Sequence, residues 1–278
     1  MFKKYQLVLI ILVVLIILGS GFLVWRNFRA TAVVGKEYKP FSFNQETSYP
    51  KVEKFEIPIL MYHYIRVAPA NDQLGANLSV SPENFAAQVK WLYDDNYRSI
   101  KLADLADSER KEISRIYHEE KKPIVFTFDD GYLDAYTQAF PVLKKYGFIG
   151  TFFIIKDYVD RENYLTGEKI REMEEAKMEF GSHTLTHPDL TKISINEARR
   201  QIFDSKGEWQ VFCYPAGRFD ETVVGLVKEA GYLAAVTTKI GVARQDDDLL
   251  ELRRVRVEDV SAQELMDKIS YAYEYGSQ

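Results

Sequence analysis

From Ile57 onward the chain alternates short runs of β-branched and aromatic residues with longer stretches whose apolar positions recur three and four apart. The first pattern belongs to buried strands and the second to amphipathic helices, and their alternation predicts parallel βα units. Strands are expected to begin near Ile57 and to cover residues 124–128, 149–155, 178–180, 209–214, 232–237 and 252–257. Between them, Ser81-Pro82-Glu83 opens a helix with Phe85, Val89 and Leu92 on its core face, using a serine cap and a proline in the first turn. A second helical stretch over residues 135–146 should kink or restart at Pro141 and stop at Gly147. Helices are also expected at 166–173, 193–205, 222–230 (closed by Gly231) and 262–271.

The N-terminus follows a different pattern. Lys3 and Lys4 precede residues 7–25, an uncharged run dominated by Leu, Ile and Val. About 19 residues at 1.5 Å each cross a hydrocarbon core of about 30 Å. Residues 1–30 are therefore expected to be an uncleaved signal anchor with one transmembrane helix. Ala30-Thr31-Ala32 offers the competing reading of a cleavage site, but the apolar run exceeds a usual signal core and Trp25-Arg26 interrupts the approach to it. Arg26 and Arg29 balance Lys3 and Lys4, so the flanking charges orient the segment only weakly. Residues 31–54 lack periodicity and are expected to be an extracytoplasmic spacer, with one domain over 55–278. An apolar content of 46% fills one barrel-sized core, and a net charge of −5 argues against nucleic-acid binding through a basic face. The single cysteine, Cys213, has no internal disulfide partner.

The chemistry concentrates in two stretches. Thr127-Phe128-Asp129-Asp130-Gly131 closes a β-rich apolar run, the pattern of a buried parallel strand ending in a turn. Two adjacent aspartates are costly to desolvate as a bare pair, because each disfavours the other's ionised form. A dication removes the conflict, with Asp130 as ligand and Asp129 free to take a proton from an attacking water. Downstream, Gly181-Ser182-His183-Thr184-Leu185-Thr186-His187-Pro188 sets two histidines three residues apart, able to reach one ion from a helical turn or a tight loop. Only four histidines occur (His63, His118, His183 and His187), so the pairing is not a by-product of composition. Two imidazoles and one carboxylate leave coordination positions open, as catalytic sites do. Singly, each motif has a plainer reading, as an ordinary Asp-Asp-Gly turn or as solvated loop histidines. Their joint occurrence favours a metal.

These residues resemble the polysaccharide deacetylases that share the NodB homology domain, carbohydrate esterase family 4, over roughly residues 57–271. In that family the T-F-D-D-G motif supplies a base and a metal ligand, and H-[ST]-x-x-H supplies two more ligands. The resemblance implies Asp129 as base and Asp130, His183 and His187 as ligands. A third motif is partly matched by Phe212-Cys213-Tyr214-Pro215-Ala216-Gly217, which implies the Ala216 N–H as donor to the oxyanion. Three departures stand out. Cys213 occupies the place of an arginine that orients the base. The Asp-Trp motif has no counterpart near Ala235-Val236-Thr237-Thr238. No histidine follows His187 to protonate the leaving amine. His63, ending Pro58-Ile59-Leu60-Met61-Tyr62-His63, is the natural substitute, an order that resembles the circularly permuted branch containing poly-N-acetylglucosamine deacetylases; its plainer reading is a core histidine. His118 is expected on a surface helix.

The fold expected is a deformed (β/α) barrel of parallel strands after one transmembrane helix, with the site at the C-terminal strand ends. The function expected is removal of N-acetyl groups from an extracellular amino-sugar polysaccharide, of poly-N-acetylglucosamine or peptidoglycan type. The cofactor would be a divalent metal, zinc by ligand type, although imidazole and carboxylate also accommodate cobalt, nickel or iron. The implied partners are the polysaccharide and the membrane. Rival readings are an O-acetyl esterase with the same site, a non-haem iron oxygenase, and a tethered glycan-binding module with a degenerate site. Tyr132, Trp209 and Phe219 are candidates for stacking on sugars, each equally readable as packing.

Overall fold

The computed structural model describes residues 49–276. Seven parallel strands follow one another around a closed barrel: β1 (Ile59–Tyr62), β2 (Lys122–Phe128), β3 (Gly150–Ile154), β4 (Glu179–Ser182), β5 (Val211–Cys213), β6 (Ala234–Ile240) and β7 (Leu252–Arg256). Closure comes from β7 pairing with β1, where Val255 lies opposite Leu60 and Arg256 opposite Met61. The strand expected from Ile57 is divided by Pro58. Glu56–Ile57 pairs antiparallel with Ala243–Arg244, and the chain then enters the barrel at Ile59. Proline has no N–H to give a ladder, and its carbonyl accepts from Val125 N–H at 3.0 Å instead. An outer strand, Tyr97–Ser99, extends the early half of β2.

Helices cover the barrel: α1 (Pro82–Asp94), α2 (Lys111–His118), α3 (Phe140–Tyr146), α4 (Gly167–Glu175), α5 (Ile195–Lys206), α6 (Glu221–Glu229) and α7 (Ala262–Tyr275). Their starts follow side-chain capping, with Ser81, Thr166, Ser194, Asp220 and Ser261 each accepting a backbone N–H of the first turn. Where one kinked helix was expected over 135–146, a π-helical turn at Ala135–Ala139 runs into α3. Pro141 cannot donate to the preceding turn, and the looser turn accommodates that. Gly147 ends α3 in the left-handed region.

The strand period of two sorts residues between the two faces. Ile59, Val125, Phe153, Val211, Cys213 and Leu252 form one cluster with Ile100, Leu102, Ile113 and Ile116. Their neighbours Leu60, Phe126 and Phe152 pack instead with α1, α3 and α7 residues. Continuing the first phase upward brings Thr127, Asp129 and Arg254 to the C-terminal end, all buried.

Residues 50–53, which the sequence assigns to the spacer, are held against α2. Val52 N–H donates to Ser114 Oγ, and Arg110 donates to the carbonyls of Val52 and Glu53. His118 is exposed at the end of α2, as expected, and stacks on Tyr49. The transmembrane helix expected at 7–25 lies outside the described residues, among which no helix is long and apolar enough to cross a membrane.

Gly131 sits at φ +75°, and a Cβ there would meet Ile154 Cδ1 at 3.1 Å. Gly131→Ala is expected to cost roughly 1–2 kcal/mol, the scale of forcing a side chain into the left-handed region. Denaturant midpoints of the two proteins check this, and equal midpoints would show that the turn rearranges freely.

Candidate metal and hydrolytic site

Asp129 and Asp130 leave the end of β2 in different directions. Asp129 stays in register, its N–H donating to Tyr62 O at 3.0 Å. Asp130 turns into the left-handed region at φ 73°, followed by Gly131. Aspartate tolerates that conformation better than most side chains, and the turn separates the two carboxylates.

His183 and His187 flank a loop after β4 that is pinned from inside. Buried Gln201 of α5 accepts the N–H groups of Leu185 and Thr186, and Thr184 Oγ1 accepts that of His187. His187 is also left-handed, at φ 60°. His183 Nδ1 lies 2.7 Å from the Cys213 carbonyl, to which it donates, so Nε2 is the nitrogen turned toward Asp130. His183 Nε2 and His187 Nε2 approach Asp130 Oδ1 to 3.4 and 3.6 Å. Burial, reinforced by the adjacent His183, pushes His187 down to about 4, so its imidazole is neutral near neutrality. One carboxylate oxygen and two imidazole nitrogens thus lie within 4.8 Å of one another, a donor set suited to zinc or a similar dication. Asp129, His183 and Cys213 form a second such group, but it is a poor one. Both Asp129 oxygens are already engaged, and burial pushes the Cys213 thiol up, away from thiolate.

The engagement of Asp129 is the feature that sequence reasoning missed. Arg254, 1% exposed, enters from β7 and donates to both carboxylate oxygens at 2.8 Å. Its other donors reach Thr127 Oγ1 at 3.0 Å and the Thr237 carbonyl at 2.8 Å. With Cys213 where the family arginine stands, the sequence left Asp129 without a partner. The structure supplies the guanidinium from another strand, and the small Cys213 side chain lies 3.5 Å from both groups. A signal existed: Leu252 and Arg254 share the inward phase of a predicted buried strand, where an arginine needs a partner. Burial alone would lift the Asp129 carboxyl, but Arg254 outweighs it and holds the group well below the usual carboxylate range.

His63, just past β1, brings Nε2 to 3.7 Å from Asp129 Oδ2. Burial lowers its pKa, outweighing the attraction of Asp129 and Asp130. After β5, Ala216 is exposed at φ 52°, in a turn whose Gly217 and Arg218 N–H groups return to the Tyr214 and Pro215 carbonyls. Where the Asp-Trp motif was sought, Thr237 is buried and donates to the Leu252 carbonyl. The candidates therefore converge: Asp129 and Asp130 from β2, His183 and His187 from β4, and His63 from β1. Of the three aromatics, Trp209 packs against the core, Phe219 stacks on Tyr214, and Tyr132 lies beside Tyr64 at the site.

The family model for polysaccharide deacetylases matches residues 117–235. YxkH of Bacillus subtilis, which carries the name of a polysaccharide deacetylase, is 34% identical over 224 residues, 76% of this chain and 75% of that protein. The chain belongs to the polysaccharide deacetylase family. Among solved structures, a Streptococcus pyogenes deacetylase in complex with acetate superposes on it with a TM-score of 0.67 and 30% identity, over 77% of this chain and 98% of that one. A polysaccharide deacetylase of Bacillus cereus gives 0.65 and 30%, over 77% and 69%. A poly-β-1,6-N-acetyl-D-glucosamine N-deacetylase of Staphylococcus aureus is 25% identical, over 68% of this chain and 75% of that protein. The polysaccharide deacetylase fold expected from the sequence is thus present as a closed seven-stranded barrel.

In this deacetylase the depressed Asp129 carboxyl contributes stability above the ordinary carboxylate range, lost as pH falls through the depressed value. Arg254→Met strands that carboxylate, and burial then raises its pKa. The variant should lose about 3–5 kcal/mol near neutrality, the scale for unpairing a buried charge, and less in mild acid, where Asp129 takes up a proton. Unfolding at two pH values checks this. A loss independent of pH would assign Arg254 a packing role only.

Proposed function

We propose that the protein is a metal-dependent N-deacetylase of an amino-sugar polysaccharide, of poly-N-acetylglucosamine or peptidoglycan type. The observation that carries the reading is the separation of two adjacent carboxylates into two environments. Asp130 faces two imidazoles that could share an ion with it, and Asp129 is paired with Arg254 and lies near His63. A dication held by Asp130, His183 and His187 supplies Lewis acidity toward the acetyl carbonyl.

The chain's own groups perform the proton transfers. Asp129, ionised throughout the useful pH range, accepts the proton of the attacking water. The Ala216 N–H donates to the oxygen that becomes negative. His63 is neutral at rest because burial disfavours its charge. It therefore has to receive a proton before it can give one to the departing amine, and Asp129 at 3.7 Å is the donor. Asp129 and His63 thus form a short relay from water to leaving group. The segment at residues 7–25 would hold the domain outside the membrane, where such polymers lie.

Acetate release from acetylated glucosamine oligomers tests the reading. Chelator-treated protein should release none and recover with zinc, and His187→Ala should lose bound metal. Full turnover without metal would overturn it.

His63→Ala is expected to lower kcat on the amide by about 10²–10⁴-fold, the scale of a general acid–base group. The loss should be much smaller on an activated aryl acetate, whose leaving group needs no proton. Equal losses on both substrates would make His63 structural.

A further inference from the structure

The histidine loop and the turn of Ala216 follow neighbouring strands, β4 and β5, where Ser182 lies opposite Phe212. At their base the two are joined by His183 Nδ1 donating to the Cys213 carbonyl at 2.7 Å. Farther along they are joined again. Arg218 Nη1 donates to Asp189 Oδ2 at 2.7 Å, with Asp189 two residues past His187 and Arg218 two residues past Ala216.

We propose that the Asp189–Arg218 pair is a strap between these two segments, and that it positions the Ala216 N–H relative to His187 for the deacetylation step. The inference rests on the N-deacetylase reading and adds what holds the oxyanion donor in place. Three observations carry it. Asp189 is a fixed post: its Oδ1 accepts the Thr191 N–H at 3.2 Å and the Thr191 hydroxyl at 2.7 Å, and the next residue, Leu190, is buried in one cluster with Phe212 and Tyr214. The Asp189 side chain is 16% exposed and that of Arg218 58%, so the pair runs from a seated acceptor to a donor at the surface.

The turn that Arg218 belongs to is strained. Ala216 and Gly217 both lie in the left-handed region, at φ 52° and 66°, which alanine adopts at a cost. Relaxation of Ala216 would rotate its N–H away. Thr238 backs the turn from β6, where a Cβ on Gly217 would meet its Oγ1 at 2.1 Å, and Asp189 grips it through Arg218 from the side of the histidines. The third observation concerns the rival cation. Lys192 reaches the same Asp189 oxygen at 3.6 Å, but it stands three residues along Asp189's own turn and so ties nothing across to Ala216. A pair this exposed adds little to overall stability. Its leverage is geometric, because an oxyanion donor works only within a few tenths of an ångström of its proper distance.

The test measures kcat, KM and metal content on an N-acetylglucosamine pentamer. Arg218→Met and Asp189→Asn should each lower kcat about 2–5-fold, the scale of an exposed ion pair, with KM and metal unchanged. Arg218→Lys should recover part of the loss, and the double variant should be no worse than the weaker single one. Raising salt from about 0.05 M to about 1 M, which screens exposed charges, should bring wild type toward Arg218→Met and leave that variant where it is. An unchanged kcat in Arg218→Met, a loss carried by KM or by metal content, or additive losses in the double variant overturns the strap. If wild type releases no acetate, the N-deacetylase reading fails. Amide hydrogen exchange of the metal-free proteins then decides the strap separately: faster exchange at residues 215–218 in Arg218→Met supports it, and equal exchange overturns it.

Discussion

The site depends on a buried ion pair at the top of the barrel. Arg254 and Asp129 are almost without solvent, and each is affordable there only because of the other. The guanidinium spends its remaining donors on Thr127 Oγ1 and the Thr237 carbonyl, so it is held by β2 and β6 while it holds Asp129. That arrangement fixes the carboxylate in position and keeps it ionised. It also gives two neighbouring aspartates different surroundings: Asp129 is neutralised by a cation of the protein, and Asp130 faces two imidazoles.

The rest of the site is built by forcing the backbone where strands end. Asp130, His187 and Ala216 all adopt left-handed conformations, which cost energy for residues with a side chain. Each is over-determined by its surroundings. Gly131 continues the turn after Asp130, Thr184 and Gln201 hold the histidine loop, and Gly217, whose Cβ would collide with Thr238, completes the turn at Ala216. The strands beneath supply the rigidity that lets these turns persist. The candidate donor nitrogens and oxygens are therefore positioned by the fold itself, which lowers the ordering cost that binding an ion would carry.

Charge completes the picture. Asp129 and Arg254 cancel, so the remaining buried anion is Asp130, facing two imidazoles. His183 has its Nδ1 committed to the Cys213 carbonyl, and His187 is held neutral by burial. A dication is the group that this donor set stabilises best.

Much of this was legible along the chain. The alternation of strand and helix periods determined a parallel α/β architecture, because strands covered on both faces must be apolar throughout and helices on one face only. Adjacent motifs singled out four candidate residues, since Asp129 and Asp130, and His183 and His187, are brought together by local geometry alone. His63 was also reachable, because a parallel strand delivers its last residue to the same rim as every other strand. Closure into a barrel, expected from the family resemblance, is not written in the periodicity, as it depends on β7 meeting β1 across nearly the whole chain. Arg254 was missed for the same reason: its partner lies 125 residues away, and the two meet only once β7 has joined β1, the neighbour of β2. Spacing along one segment is written in sequence; a pair that forms across the barrel exists only once the sheet has closed.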